Sequence, residues 1–367
     1  MWAIPPLEEL YKCIQRPADP IGKRMRAAYF LRHHYSSNSS AEEEKNKDIL
    51  EEIILNLGAA LKIRDHGSLL RHEFAYVMGQ IRDPQACSVL EEILSDDDEC
   101  VMVRHECAEA LGAIGSKQSL PLLEKLTNHE RFEVSETCRL AVDYMLLKTD
   151  VACACMLSPY NSIDPAPAHP SHEKLSIEEI GNILRDENNP LFERYRAMFS
   201  LRNRGGDDCA LELGRALLED NSSATLRHEV AYVLGQMQRD VSVEALHASL
   251  ERDNEHRMVR HESAEALGAI EGRWSDCEAV LQKFIKDKDD VVRESCIVAL
   301  DAADYFGHTQ NDIDDEINST GIAQKEETAY ISNQSFTGTK ARSTNHDIDK
   351  SMGEEKLDVS KNHFNVI

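Results

Sequence analysis

The chain has 367 residues and a formal net charge of −25, from 66 acidic and 41 basic residues. This excess of negative charge disfavours nucleic acid as a partner and favours a cationic one. Hydrophobic residues make up 41% of the chain, enough for a buried core, but no run approaches the ~18 apolar residues of a membrane helix. We therefore expect a cytoplasmic protein, with its cysteines reduced and buried, that binds neither membranes nor nucleic acid.

Two long segments of the chain are near copies of each other. The sequence LRHEFAYVMGQI at 70–81 returns as LRHEVAYVLGQM at 226–237, at an offset of 156. The same offset carries MVRHECAEALGAI at 102–114 onto MVRHESAEALGAI at 258–270 without a gap. Self-similarity of this kind is the signature of repeat architectures. Each copy contains the sequence Arg-His-Glu at the same place, so the His-Glu doublet occurs four times.

The offset changes towards either end of the duplication. RMRAAYFLR at 24–32 matches RYRAMFSLR at 194–202 at an offset of 170, which indicates an insertion in the first half. The polar segment at 36–47 is the simplest place for it, and we expect a surface loop there. Downstream, VSETCRLA at 134–141 pairs with VRESCIVA at 292–299 at an offset of 158. The chain is thus predicted to contain two homologous halves.

A shorter period of 33 residues runs inside each half, from His72 to His105 and again from His228 to His261. A unit of that length holds two helices and two turns. In one such unit LPLLEKLTNHE predicts an outer helix, and DECVMVRHECAEALGAIG predicts an inner helix that ends at Gly115 as its C-cap. We predict an all-α protein: an α-solenoid of helical hairpins, four to each of two duplicated halves that face each other.

Composition divides the chain further. The first half is predicted to occupy residues 1–148 and the second half residues 176–306. Residues 149–175 carry four prolines and predict a semi-extended linker. Residues 307–367 are polar and without hydrophobic periodicity, which predicts a disordered tail.

The doublets point away from the apolar stripe of their helices. At 100° per residue, Cys107, Leu111 and Ile114 lie within about 80° of Val103, whereas His105 lies at about 200°. The corresponding glutamate, next in sequence, lies at about 300°, and the other three copies repeat the pattern. A histidine on the core face would be explained by packing alone. These histidines are predicted to lie on another face, which favours a functional role.

Neighbouring inner helices of a solenoid lie about 8–10 Å apart, so equivalent histidines on adjacent helices can share one metal ion. Each half would then form one site, and facing halves would bring two sites together. Imidazole and carboxylate ligands favour iron(II), although periodicity alone leaves zinc and manganese open. The alternative is that Arg-His-Glu is a surface feature copied by duplication without a role.

Other residues at helical spacing from the histidines have two interpretations each. The residues four positions after each histidine could orient the imidazoles or be ordinary surface residues; they are Tyr76, Glu109, Tyr232 and Glu265. The residues seven positions on could leave room for a substrate or for a neighbouring helix; they are Gly79, Gly112, Gly235 and Gly268. The arginines before each histidine, Arg71, Arg104, Arg227 and Arg260, are predicted to form structural ion pairs.

Over residues 20–306 the sequence resembles the deoxyhypusine hydroxylases, HEAT-repeat di-iron monooxygenases of eukaryotes. The resemblance rests on the four His-Glu doublets, on the continuations AYVLGQM and AEALGAI, and on DPAP at 164–167. It implies that the hairpins are HEAT-like. It further implies hydroxylation of the deoxyhypusine side chain of eukaryotic translation initiation factor 5A, with O2 activated at two Fe(II) ions per chain.

The resemblance also implies residue roles. One ion would be bound by His72, His105 and Glu106, and the other by His228, His261 and Glu262. Glu73 and Glu229 would face the amine of the substrate, and carboxylates suit that dicationic side chain. The enzyme is expected to act as a monomer, with an electron donor that the sequence does not identify. The main alternative function is a HEAT-repeat scaffold that binds proteins without chemistry; a second is a bilin lyase built from similar short repeats.

Overall fold

A computed structural model describes residues 4–38, 47–147 and 158–320, with side chains as far as residue 306. Within these ranges there are sixteen α-helices and no strand. Residues up to Ala302 belong to one compact unit. The helices are α1 (Leu7–Ile14), α2 (Ile21–Asn38), α3 (Lys47–Leu61), α4 (Gly67–Ile81), α5 (Cys87–Ser95), α6 (Val101–Ile114), α7 (Leu120–Leu126), α8 (Phe132–Leu147), α9 (Ile177–Arg185), α10 (Leu191–Arg204), α11 (Asp207–Glu219), α12 (Ala224–Met237), α13 (Val243–Glu251), α14 (Arg257–Gly268), α15 (Trp274–Phe284) and α16 (Asp290–Thr320).

The helices pair in sequence as antiparallel hairpins. Odd-numbered helices form the outer layer, and even-numbered helices form the inner layer, where α4 packs on α6, α6 on α8, and α12 on α14. Each half contains four hairpins, and the side chains between the two layers form the buried core. The predicted all-α solenoid of helical hairpins is confirmed.

The ends of the inner helices follow from local sequence. Gly115 adopts φ 72° directly after α6, the left-handed conformation predicted for its C-cap. Arg82 and Gln238 take the same conformation after α4 and α12, at φ 62° and 50°, and they occupy equivalent positions in the two halves. In the outer layer α9 begins with a capping box between Ser176 and Glu179.

The arginine before each histidine ties the inner helix to its outer partner. Arg71 Nε donates to the carbonyl oxygen of Leu61 at the end of α3, 2.6 Å away, and its Nη atoms bind both carboxylate oxygens of Glu99. Arg104 donates in the same way to the carbonyl oxygen of Leu94, and Arg260 to that of Leu250, each ten residues earlier in the chain. Arg227 binds the carboxylate of Glu255, as Arg71 binds that of Glu99. The predicted structural role of these arginines is confirmed.

The four glycines that follow the histidines allow neighbouring inner helices to approach closely. A Cβ atom on Gly79 would lie 2.8 Å from the Cα atom of Ala110 on α6, and one on Gly235 would lie 3.0 Å from that of Ala266 on α14. Gly112 and Gly268 meet Ala141 and Ala299 in the same way. Of the two interpretations of these glycines, the structure supports the one in which they leave room for a neighbouring helix.

The halves meet through polar contacts as well as packing. The hydroxyl groups of Tyr76 and Tyr232, which are equivalent residues, lie 2.8 Å apart. Ser223 of the second half donates to the Glu136 carboxylate of the first half at 2.8 Å. Neither tyrosine is an ordinary surface residue, and neither is hydrogen-bonded to a described histidine. The two halves thus face each other, as predicted, and their side chains are in direct contact.

The described part of the linker is fixed to the second half by Arg202, which is fully buried. Its guanidinium donates to both carboxylate oxygens of Asp164, at 2.8 and 2.5 Å, and to the hydroxyl of Ser158. The ring of Tyr160 covers the same guanidinium, 4.7 Å from its centroid. Between 158 and 169 the chain forms no helix, as the proline content predicts, but this part of the linker is held by specific bonds.

Two boundaries differ from the prediction. Helix α2 continues to Asn38, so the predicted 36–47 loop begins inside a helix. Helix α16 runs to Thr320, past the predicted start of the tail at 307, since no proline interrupts it. Residues 39–46, 148–157 and 321–367, which include parts of the predicted loop, linker and tail, lie outside the described residues. Among the helices described, none combines the length and apolarity needed to cross a bilayer.

Replacing Asp164 by alanine is expected to lower the free energy of unfolding by about 3 kcal/mol, because it leaves the buried guanidinium of Arg202 without its counter-charge. Urea denaturation measures the effect. The matched control is Glu92→Ala, which removes the exposed ion pair with Lys62 and should cost less than about 1 kcal/mol. Equal losses in the two variants would contradict the structural role of Arg202.

Candidate metal centre

The four histidines of the doublets form one compact cluster between the two halves. His105 and His261 are fully buried, and His72 and His228 are 3% and 5% exposed. Ring centroids lie 5.8 Å apart for His72 and His105, and 5.2 Å apart for His228 and His261. Across the halves the centroid of His105 lies 5.3 Å from that of His228. The prediction that the histidines point away from the hairpin core is correct, but the facing half buries them.

Each of these histidines has a buried Nε2 atom that makes no hydrogen bond of good geometry with a described residue, although Oε2 of Glu106 lies 3.1 Å from that of His72. Four unpartnered nitrogens in one cluster are unusual, because buried polar atoms are nearly always bonded. For His105 the ring orientation follows from its neighbour. Thr137 donates its single hydroxyl proton to the carbonyl of Glu133, so its oxygen must accept from Nδ1 of His105, 2.8 Å away. Nε2 of the neutral imidazole then carries the lone pair that binds a metal.

Two other imidazoles are oriented by carboxylates at Nδ1. His72 Nδ1 lies 3.0 Å from Oε1 of Glu73, whose other oxygen accepts from the Tyr29 hydroxyl at 2.7 Å. His261 Nδ1 lies 3.4 Å from Oε1 of Glu265. In both cases Nε2 is left for a ligand, the arrangement usual for metal-binding histidines. The fourth imidazole, His228, has no partner at either nitrogen among the described residues.

The glutamates of the second and fourth doublets complete the donor set. Glu106 Oε2 lies 3.1 Å from His72 Nε2 and 3.6 Å from His105 Nε2, so the first predicted trio is brought together. In the second predicted trio Glu262 Oε2 lies 3.4 Å from His228 Nε2 and 4.0 Å from His261 Nδ1. Ligand atoms within 4.8 Å of one another also group His261 with Glu262 and Glu265, and His72 with His228 and His261.

Burial and mutual charge set the protonation of the cluster. Burial, reinforced by the neighbouring imidazoles, holds the pKa of His105 and of His261 well below 6.5 and lowers that of His228 to about 3. For His72 burial is outweighed by the carboxylates of Glu106 and Glu73, which raise its pKa well above 6.5. Burial and the charge of Glu73 raise the pKa of Glu262 to about 8. Three imidazoles are therefore neutral at pH 7, the form that binds metals.

Four further glutamates surround the cluster, and they differ in how they are bonded. Glu73 is satisfied by Tyr29 and His72, and Glu265 accepts from the hydroxyl of Ser295 at 2.8 Å as well as facing His261. Glu229 is 3% exposed, and neither it nor the half-buried Glu109 receives a hydrogen bond from any described residue. Burial and the charge of Glu109 raise the pKa of Glu229 well above 4.5.

Sequence reasoning missed three hydroxyl residues that contact the cluster, namely Tyr29, Thr137 and Ser295. A signal for two of them was available. Thr137 and Ser295 occupy the same place in VSETCRLA and VRESCIVA, so a hydroxyl recurs at equivalent positions of α8 and α16. Tyr29 has no such signal, because the residue aligned with it, Phe199, carries no hydroxyl.

The donor set fits transition-metal binding. Four Nε2 atoms converge, imidazole orientation is fixed at three of the four rings, and two carboxylates lie against them. A mixture of imidazole and carboxylate donors suits iron(II). None of the described cysteines belongs to a candidate metal group, unlike in most structural zinc sites.

Comparison with known proteins gives the family. A profile of HEAT repeats matches residues 45–142. The deoxyhypusine hydroxylase of Mus musculus is 42% identical over 300 residues, which cover 82% of this chain and 92% of the mouse protein. The chain belongs to the deoxyhypusine hydroxylase family. A further member, from Xenopus laevis, is 46% identical over 257 residues, covering 68% of this chain and 82% of that protein.

The fold of the family agrees with the one described here. The solved structure of human deoxyhypusine hydroxylase in complex with glycerol superposes with a TM-score of 0.71 at 41% sequence identity, covering 80% of this chain and 94% of the human chain. The predicted resemblance to deoxyhypusine hydroxylases is therefore confirmed.

Replacing Thr137 by valine is expected to lower the free energy of unfolding of the metal-free protein by about 1–3 kcal/mol, since the buried Nδ1–H of His105 loses its acceptor. The control is Ser242→Ala, which removes a buried hydroxyl that has no hydrogen-bond partner in the described structure and should change stability little. Urea denaturation compares the two. If both variants are as stable as the parent, the Thr137 hydroxyl does not orient His105.

Proposed function

We propose that this chain hydroxylates the deoxyhypusine side chain of eukaryotic translation initiation factor 5A, with O2 activated at two Fe(II) ions. The observation that carries the proposal is the convergence of four buried, unpartnered Nε2 atoms from four repeats. Membership of the deoxyhypusine hydroxylase family supplies the substrate class. A saturated carbon has no acidic proton, so acid–base catalysis alone cannot hydroxylate it and a redox metal is required.

In this proposal His72, His105 and Glu106 bind one ion, and His228, His261 and Glu262 bind the other. The first trio is supported by distances of 3.1 and 3.6 Å from Glu106 to the two imidazoles. The second is supported by its equivalence to the first under the duplication. When bound, the two ions supply the electrons and the open coordination positions with which O2 is reduced to an oxidant able to hydroxylate a C–H bond.

The side chains around the ions have three tasks. Their burial excludes water, which strengthens the electrostatic interactions within the site. Thr137, Glu73 and Glu265 hold imidazole rings with Nε2 directed at the ligand. Glu229 is proposed to bind a protonated amine of the substrate, since its buried carboxylate receives no hydrogen bond from the residues that the structure describes. Both oxygens of Glu73 already accept hydrogen bonds, which favours an orienting role over the substrate role expected from the sequence.

The alternative is a HEAT-repeat scaffold that binds proteins without chemistry. A scaffold needs no buried polar cluster, and burying imidazoles and carboxylates without bonded partners lowers stability. The cluster is therefore difficult to explain as a structural feature of the repeat. Against the bilin lyase alternative, the relatives named above are deoxyhypusine hydroxylases over most of their length.

Activity is tested by incubating the iron-loaded protein with deoxyhypusine-containing initiation factor 5A, a chemical reductant and 18O2. We expect a gain of one oxygen atom on the factor, seen by mass spectrometry, with the label derived from 18O2 and not from labelled water. Factor that carries unmodified lysine is the matched control and should gain nothing. Stable binding of the factor without any mass gain would favour the scaffold.

Metal binding is tested separately by the iron content of the purified protein. The parent is expected to hold about two iron ions per chain, and His105→Ala about one or fewer, because that ion loses a nitrogen ligand. His247→Ala, which removes an exposed histidine on α13, should leave the count unchanged. An iron content that is the same in His105→Ala and the parent would remove His105 from the ligand set.

A further inference from the structure

A polar cavity lies in the second half and uses none of the residues of the histidine cluster. It is bounded by the short 3-10 helix Pro170–Lys174 and by the C-terminal part of α10. Its volume is about 200 Å³, whereas a water molecule needs about 10–15 Å³ of such a volume, so a ligand of several atoms can enter. The lining residues are His169, His172, Glu173, Ser200, Asn203 and Arg204.

The imidazole of His172 presents a hydrogen-bond acceptor to this cavity. Ser200 donates its hydroxyl proton to the carbonyl oxygen of Arg196 at 2.7 Å. Its oxygen must therefore accept from Nδ1 of His172, 2.9 Å away. The neutral ring then carries its lone pair on Nε2. His172 is only 5% exposed, and no described residue bonds this Nε2 atom.

Two other lining residues present donors. The backbone N–H of Ser171 donates to Nδ1 of His169 at 3.1 Å, so the proton of the neutral His169 ring is on Nε2. Oδ1 of Asn203 accepts from Nε and Nη2 of Arg202 at 3.0 and 2.9 Å, which leaves the NH2 group of the same amide as a donor. Neither donor has a partner among the residues that the structure describes. The cavity therefore combines one acceptor with two donors.

Fixed positive charge lies beside the cavity. The Nη atoms of Arg204 donate to the carbonyl oxygens of Leu175 and His172 at 2.9 and 2.7 Å, so this guanidinium is held against the 3-10 helix. The charge of Arg196, which is 4% exposed, acts on the two imidazoles from the other side of the turn. Two guanidinium groups around one polar cavity favour an anion as its ligand.

Two carboxylates oppose this positive charge. Glu193 is paired with Arg196 at 3.5 Å, and Glu173 is exposed to solvent, which screens its charge. The positive groups dominate at the imidazole: burial, reinforced by the charges of His169 and Arg196, lowers the pKa of His172 to about 4. At pH 7 His172 is therefore neutral, and its Nε2 atom accepts a hydrogen bond.

The repeat does not explain these residues. At the offset of 170, Ser200 aligns with Phe30, which has no hydroxyl, and the sequence HPSHE at 169–173 has no second copy in the chain. The four histidines of the metal centre are shared by the two halves, whereas this pair of histidines occurs in the second half only. The cavity is thus a feature added to the hairpin fold.

We propose that this cavity binds a hydrogen phosphate ion, a function beyond the hydroxylation proposed above. Phosphate keeps at least one O–H group near pH 7, and this group donates to Nε2 of His172. The other phosphate oxygens accept from Nε2–H of His169 and from the NH2 group of Asn203. Sulfate has the same shape but no proton to donate. Phosphate monoesters, with a second pKa of about 6, have mostly lost theirs at pH 7, so the free ion is the better fit.

The choice of anion tests the proposal. Isothermal titration calorimetry of the full chain at pH 8 compares inorganic phosphate, sulfate and methyl phosphate. Phosphate is expected to bind about tenfold more tightly than either, because the acceptor on His172 is left unbonded by the other two. Equal affinities for the three anions would indicate attraction by charge alone and would overturn the proposal, as would an absence of phosphate binding.

The pH dependence of the same titrations adds a second measurement. To bind sulfate, the neutral imidazole of His172 must take up a proton and become a donor. The ratio of phosphate affinity to sulfate affinity is therefore expected to fall by up to about tenfold per pH unit between pH 8 and pH 5. A ratio that stays constant over this range would contradict the acceptor role of His172.

Variants locate the binding site. Asn203→Asp keeps the oxygen that accepts from Arg202 but replaces the NH2 donor by a charged oxygen, so phosphate affinity should fall about tenfold or more. Asn182→Asp is the matched control: Asn182 is exposed on α9 and likewise accepts from an arginine, Arg185, at 2.9 Å. It adds the same charge outside the cavity, and affinity should stay within about twofold of the parent.

His172→Ala should weaken phosphate binding and remove the preference for phosphate over sulfate. His247→Ala, on the exposed side of α13, should change neither. Urea denaturation confirms that each variant is folded. Phosphate that binds equally well to the parent, to Asn203→Asp and to His172→Ala would lie elsewhere in the molecule, the metal centre included, and that result would overturn the proposal.

Discussion

The close approach of neighbouring inner helices is the constraint on which the site depends. Gly79 and Gly235 lie so near Ala110 and Ala266 that a Cβ atom on either glycine would come within about 3 Å of the facing Cα atom. At that separation, histidines 33 residues apart have their rings side by side, and one carboxylate can reach both. Larger residues at the glycine positions would push the helices apart, and the shared contacts of Glu106 would be lost.

A second set of bonds fixes the rotation of each inner helix. The arginine of each Arg-His-Glu sequence is bonded to the end of the outer helix of its own hairpin, to an acidic residue of the following hairpin, or to both. Arg71, for example, is bonded to the carbonyl oxygen of Leu61 and to the carboxylate of Glu99. Because the arginine precedes the histidine by one residue, anchoring it on one side of the helix turns the histidine about 100° around the axis, towards the other half. The three-residue motif therefore combines a structural anchor with an imidazole that is directed at the cluster between the halves.

Much of this could be predicted from the sequence, because repetition makes patterns visible. Four doublets with one spacing predicted the hairpins, the inner helices and the common direction of the histidines. The glycines and arginines could be placed, but only the packed structure separates a close helix contact from room for a substrate. Tyr29 could not be found, since its partner Glu73 is 44 residues away and its counterpart Phe199 breaks the repeat. The extent of α2 and α16 was missed because polar residues continue a helix without any periodic signal.

Duplication gives four equivalent histidines in the cluster, but the residues around them are not symmetric. Tyr29 donates to Glu73, whereas the residue aligned with it, Phe199, has no hydroxyl, and Glu229 receives no hydrogen bond from any described residue. The imidazoles themselves are the same in the two halves. A single difference beside a repeated cluster therefore changes how a carboxylate is bonded without changing the histidines that it surrounds.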